Sequence, residues 1–97
     1  MAKVGYSGRS LENFERAFEF LAAKDPASAA KAVAAIRSAI EILSTHPLIG
    51  RAVESGLREL VISYGTTGYV ALYAHVPERN EVWVLAVRHQ RELDYPV

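Results

Sequence analysis

The chain has 97 residues with 11 basic and 11 acidic side chains, no cysteine and 51% hydrophobic content, which is material for one modest core, excludes disulfide and thiolate chemistry and argues against a redox function. Its longest apolar runs, 69–74 and 82–87, fall far short of the roughly 20 residues a membrane helix needs, and Met1-Ala2-Lys3-Val4-Gly5 has no apolar signal core. A single domain spanning 1–97, cytoplasmic and without membrane contact, is the expectation, and zero net charge argues against a phosphate-gripping surface.

A short β-prone stretch, Lys3 to Ser7, opens the chain. Ser10 is a plausible N-cap for a helix ending near Lys24, with Leu11, Phe14, Phe18 and Leu21 on one face. Asp25-Pro26 then pairs a capping side chain with a proline at the first helical position, starting a second helix at once. Its stripe is Ala29, Val33, Ile36, Ile40 and Leu43, and His46-Pro47 forbids extension. The alanine content of both helices suits a close antiparallel hairpin.

Past a connection from Pro47 to Gly56, three segments rich in β-branched and aromatic residues read as strands: Leu57 to Ser63, Tyr69 to Val76 and Val82 to Arg88. The links Gly65-Thr66-Thr67-Gly68 and Pro77-Glu78-Arg79-Asn80 are too short for parallel crossovers, so these strands form an antiparallel meander. In the last strand, simple alternation puts Val82, Val84 and Ala86 on one face and Trp83, Leu85 and Val87 on the other. The predicted fold is α+β, in the order β-α-α-β-β-β: a helical hairpin on a mainly antiparallel four-stranded sheet whose opposite face is left for a partner.

This order, with Pro47-Leu48-Ile49-Gly50-Arg51, Gly56-Leu57-Arg58-Glu59-Leu60, Gly68-Tyr69-Val70-Ala71-Leu72-Tyr73 and Val87-Arg88-His89-Gln90-Arg91, resembles the RelE/ParE toxin superfamily. The resemblance covers almost the whole chain. It implies the toxin half of a bacterial type II toxin-antitoxin pair, held inactive by a cognate antitoxin, with DNA bound only through that antitoxin. ParE-like members poison DNA gyrase; RelE-like members are ribosome-dependent mRNA endonucleases. Three departures from the nuclease pattern favour the gyrase branch here. No lysine follows Lys31, no arginine opens the strand at Thr67-Gly68-Tyr69-Val70, and the chain is neutral.

The nuclease alternative needs a base, an acid and cations on the phosphate. Glu54, Glu59 or His89 are candidate bases, His89 or Tyr95 candidate acids, and Arg51, Arg58, Arg88 and Arg91 candidate phosphate holders; Arg51, Arg58, His89 and Arg91 form the core of that set. Each has a plainer reading. Arg58 would pair with Glu54 or Glu59, Arg51 would cap the second helix, and His89 would be a hydrogen-bonding strand-end residue. For a partner surface the candidates are Arg58, Tyr69, Tyr73, Trp83, Arg88, His89 and Arg91, with core packing as the alternative for the three aromatics. His46, His75 and His89 are too widely spaced to predict a metal site, and no cofactor motif is present.

Overall fold

A computed structural model describes residues 1–65, 67–92, 94 and 95; Thr66, within the first predicted turn, lies outside them. Strand β1 (Lys3–Tyr6) leads into helices α1 (Gly8–Ala22) and α2 (Pro26–Ile40), followed by β2 (Arg51–Ala52), β3 (Arg58–Tyr64), β4 (Thr67–Val76) and β5 (Glu81–His89). The sheet order is β1-β5-β4-β3-β2; β1 runs parallel to β5 and every other pairing is antiparallel. The sheet therefore has five strands rather than four. The extra one, β2, is a two-residue pairing of Arg51 and Ala52 with Glu59 and Arg58, too short to leave a period-two signal.

Helix α2 starts as the sequence predicts. Asp25 Oδ1 accepts from the Ala27 and Ser28 amides at 3.2 and 3.4 Å, while the Ser28 hydroxyl donates to Oδ2 at 2.7 Å. Ala29, Ile36, Ile40 and Leu43 are buried and Val33 half-buried. A 3-10 turn over Glu41–Ser44 carries the last of that stripe before Pro47.

Helix α1 differs from expectation in both start and face. Its N-cap is Ser7, whose Oγ accepts from the Ser10 amide at 3.1 Å and donates to the Leu85 carbonyl at 2.9 Å. Ser10 lies inside the helix, fully buried, with its hydroxyl returned to the Ser7 carbonyl. Of the predicted stripe only Phe14 is buried; Leu11 and Phe18 are exposed, and Ser10 and Asn13 occupy the inner face with it. The choice of cap is tertiary, because Ser7 alone reaches a carbonyl on β5.

That carbonyl belongs to an irregularity. Leu72 pairs with Ala86 but Tyr73 with Val84, so Leu85 is an extra residue in β5, a β-bulge. The bulge shifts the side-chain phase. Val82 and Val84 before it and Val87 after it all join the core with Phe14, Ile36, Tyr69 and Tyr73, whereas strict alternation would have sent Val87 outward.

The sheet face away from the helices carries Glu59, Val61, Val70, Leu72, Trp83, Ala86 and Arg88 by register. It is not left wholly open: Tyr95 folds back onto it through Glu59 and Arg88, and Val70 and Ala86 are buried. Val61 and Trp83 remain exposed. Among the described residues no helix is long and apolar enough to cross a membrane.

Candidate functional site

Three of the candidate residues meet on that outer face around one carboxylate. Glu59 Oε1 accepts from Arg51 Nε at 3.1 Å and Nη2 at 2.8 Å, and Oε2 accepts from the Tyr95 hydroxyl at 2.5 Å. Arg88 Nη2 stands 3.9 Å from Oε2, and its guanidinium lies over the Tyr95 ring at 5.2 Å. Strand pairing explains the assembly: Arg51 is the register partner of Glu59, and Arg88 lies two strands away on the same face. Only the meeting with Tyr95 requires the chain to turn back, and Arg88 secures that turn by donating Nη1 to the Glu92 carbonyl at 2.8 Å.

The electrostatics follow from these contacts. Burial works to raise the Glu59 carboxyl, but the hydroxyl of Tyr95, the Arg51 hydrogen bonds and the Arg51 and Arg88 charges outweigh it, holding the group below its ordinary value. Burial, then the hydrogen bond to Glu59 and its charge, push the Tyr95 phenol well above its ordinary value against the opposing pull of Arg88. Such a carboxylate is a weak base, and such a phenol is a weak acid.

His89, on the helix side at the end of β5, is committed at both ring nitrogens. Nδ1 accepts from the Arg91 amide at 3.1 Å, so the neutral ring carries its proton on Nε2, which donates to the Thr67 hydroxyl. The ring also meets Tyr69 edge-on, with centroids 5.2 Å apart. Its backbone amide donates to Glu92 Oε1 at 3.0 Å.

Beside it opens a cleft of about 500 Å³ between α1 and the end of β5, lined by Asn13, Arg16, Ala17, Phe20, Tyr69, Val87, Arg88, His89, Arg91 and Glu92. Of these, Tyr69, Arg88, His89 and Arg91 were candidates from sequence. Asn13, Arg16, Phe20 and Glu92 were not. Asn13 was discoverable as a polar residue within the apolar phase of an amphipathic helix, four positions before Ala17; the others carry no sequence signal distinguishing them from ordinary surface.

The remaining candidates lie elsewhere. Arg58 pairs with neither Glu59 nor Glu54: its Nη1 donates to the Gly50 carbonyl at 2.7 Å and the Leu48 carbonyl at 3.3 Å, fastening the loop before β2. Arg51 pairs with Glu59 rather than capping α2. Tyr73 is fully buried, donating to the Pro47 carbonyl at 2.8 Å and accepting from the Gly50 amide at 2.9 Å, and Tyr69 is buried nearby. Both belong to the buried core, and Tyr69 also borders the cleft. Trp83 is exposed and lies over Gly5, where a Cβ would meet its ring at 2.8 Å. Glu54 sits exposed in a turn between β2 and β3. Among the described residues no three of His, Asp and Glu converge as metal ligands would.

The sequence model of the ParE toxin of type II toxin-antitoxin system, parDE, matches residues 4–94. The chain belongs to the ParE toxin family. Within the wider RelE/ParE superfamily, this toxin is 30% identical over 92 residues to Toxin RelE3 of Caulobacter vibrioides, covering 95% of this chain and 98% of that one. It is 33% identical over 67 residues to Toxin RelE1 of the same organism, covering 69% and 72% of the two chains. Among solved structures, it superposes on a chain of the chromosomal ParDE TA system from P. aeruginosa with a TM-score of 0.76 at 18% identity, covering 92% of this chain and 96% of that one. A chain of the intact E. coli RelBE toxin-antitoxin complex gives 0.64 at 12% identity, with 95% and 100% covered. At those identities the likeness shows a shared fold, the α+β hairpin-on-sheet described above.

Proposed function

We propose that this ParE-family toxin acts by binding DNA gyrase rather than by cutting RNA, and that a cognate antitoxin silences it by direct contact. One observation carries the reading: the groups that acid–base chemistry would need are bound to one another. Glu59 is shared among Arg51, Arg88 and Tyr95, and both nitrogens of His89 are engaged. The neutral charge and the absence of lysine beyond Lys31 agree with a protein that does not grip RNA phosphates. The test is a supercoiling assay with purified gyrase and increasing amounts of this protein. Inhibition at near-stoichiometric ratios is expected, and unchanged supercoiling at large excess overturns the reading.

A second reading, an mRNA endonuclease working on the ribosome, is favoured by the RelE names of the two curated relatives. Primer extension on messages from arrested cells separates the two mechanisms. Gyrase poisoning leaves translated transcripts intact; translation-dependent cuts establish the nuclease instead.

A further inference from the structure

Strand β2 covers the outer edge of β3 at Arg58 and Glu59 and goes no further. Residues 60–64 therefore have β4 on one side and, among the described residues, no strand on the other. Hydrogen-bond alternation identifies the groups left over. The Leu57 carbonyl accepts from the Val53 amide at 2.9 Å on the β2 side, and the Gly68 carbonyl, opposite Ser63, turns away from β3 to the Gln90 amide at 3.0 Å. Odd-numbered positions of β3 thus aim outward. The N–H and C=O of Val61 and Ser63 leave the sheet at its open edge, whereas those of Leu60, Ile62 and Tyr64 point to β4.

The chain entering β2 does not shield this edge. It arrives from the helix layer, where the Gly50 amide donates to the buried Tyr73 hydroxyl at 2.9 Å. Beside the edge lies a shallow groove of about 450 Å³, lined by the exposed side chains of Ile42, Ile49 and Val61 together with Leu60.

The geometry selects an occupant. An antiparallel strand laid along 60–64 must turn away before Glu59, because Arg51 already fills the place opposite it. It must also present outward groups at two positions two residues apart. The β3 strand of a second copy meets both conditions. With a twofold axis through Ile62, Val61 faces Ser63 of the second copy and Ser63 faces that copy's Val61, which pairs all four outward groups of each chain. Leu60 faces Tyr64 of the second copy, whose chain then leaves at Gly65 (φ 59), just short of Arg51. Residues 60–64 hold no Lys, Arg, Asp or Glu, so no charge meets its own image across the axis.

We propose that the free chain forms a twofold-symmetric dimer by pairing β3 with β3 at this edge. One sheet then runs β1-β5-β4-β3 in one copy and on through β3-β4-β5-β1 in the other. Ile42 and Ile49 stand beside the seam on the helix side and Val61 on the outer side, so apolar surface is buried along with the main-chain bonds. The inference needs neither the gyrase nor the antitoxin reading.

Sedimentation velocity on the full chain across a concentration series should show a reversible equilibrium between monomer and dimer. Ser63→Pro removes an outward N–H that the single chain does not use. It should raise the dimer dissociation constant roughly tenfold or more, because two inter-chain bonds vanish per dimer. Val61→Lys, at an exposed site, should weaken the dimer as well, and it carries the test if circular dichroism shows Ser63→Pro melting early. Because the chain has no cysteine, the register can be read directly. Val61→Cys and Ser63→Cys chains carrying tags of different mass, mixed and oxidised, should cross-link mainly to each other, since opposite Cα atoms of a hydrogen-bonded pair lie about 5.5 Å apart. A chain that stays monomeric overturns the proposal. So does a dimer left unchanged by whichever of the two edge variants folds normally, or cross-linking no greater between the cysteine variants than within each. Slowed hydrogen exchange at the Val61 and Ser63 amides that appears only when an antitoxin is added overturns it too, and gives the edge to that partner.

Discussion

Glu59, a candidate base by residue type, is bound in the fold by Arg51, Arg88 and Tyr95. Because its folded-state carboxyl lies below the ordinary value, its stabilising contribution is complete above about 4.5 and is lost as pH falls through the lowered folded value. Glu59→Gln should therefore unfold at lower urea than wild type at pH 7, by about 1.5–3 kcal/mol, as expected for hydrogen bonds to a charged group. The two midpoints should converge as the pH is taken down from about 4.5 through the lowered folded value. A difference that does not narrow on acidification would mean that packing, not charge, sets the effect. Tyr95→Phe probes the same cluster from the other side. The raised phenol stabilises the fold below its ordinary value near 10, and that contribution fades as pH rises beyond it. Spacing suggests Arg58 as the partner of Glu59 and Arg51 as a helix cap, so neither the Arg51–Glu59 pair nor the meeting with Tyr95 is legible in the sequence. Nothing in a 36-residue separation indicates a chain that returns to the same sheet face. Asn13 stands out in the sequence only as a polar residue in the apolar phase of α1; its role, satisfying a β5 amide, exists only after the sheet has formed.

Elements whose ends are set by local chemistry were legible, and those set by tertiary contacts were not. Helix α2 has a self-contained start at Asp25-Pro26 and a self-contained stop before Pro47, and its apolar stripe emerged as expected. For α1, Ser7 and Ser10 are three residues apart and equally good caps by composition. Ser7 is selected because its hydroxyl also reaches the Leu85 carbonyl at the bulge. That double use makes a prediction. Ser7→Ala should destabilise by about 1–2 kcal/mol, the upper part of the usual range for losing a cap, visible as a lowered thermal midpoint. Ser7→Asp should restore the bond to the Ser10 amide but place a carboxylate against the Leu85 carbonyl, so it should recover little of the loss. Full recovery would show that capping alone matters. The bulge itself left no mark in the sequence, since Val84-Leu85-Ala86-Val87 is apolar at every position and alternation cannot assign its faces.

Across the whole molecule, zero formal charge coincides with several exposed large apolar side chains. Phe18, Phe20, Ile42, Leu48, Ile49, Val61 and Trp83 all stand at least a third exposed. Ile42 and Ile49 line a second, shallower groove with Leu60 and Val61, where β3 continues past its two-residue pairing with β2. A strand edge that carries no Lys, Pro or other charge over Leu60–Tyr64 has none of the usual protection against pairing with another chain. With a pI near 6.8, electrostatic repulsion between copies is weakest close to neutral pH. The free toxin should therefore self-associate at pH 7, its weight-average mass in sedimentation rising with concentration, and should become more nearly monomeric at pH 9 as net negative charge accumulates. Val61→Lys, which places a charge on the open edge at a site 56% exposed, should reduce self-association at pH 7 without lowering the thermal midpoint by more than about 0.5 kcal/mol equivalent. A wild-type chain that stays monomeric at pH 7 and high concentration would show that its own surface tolerates water. The need for a permanent partner would then have to come from toxicity alone rather than from the physics of the fold.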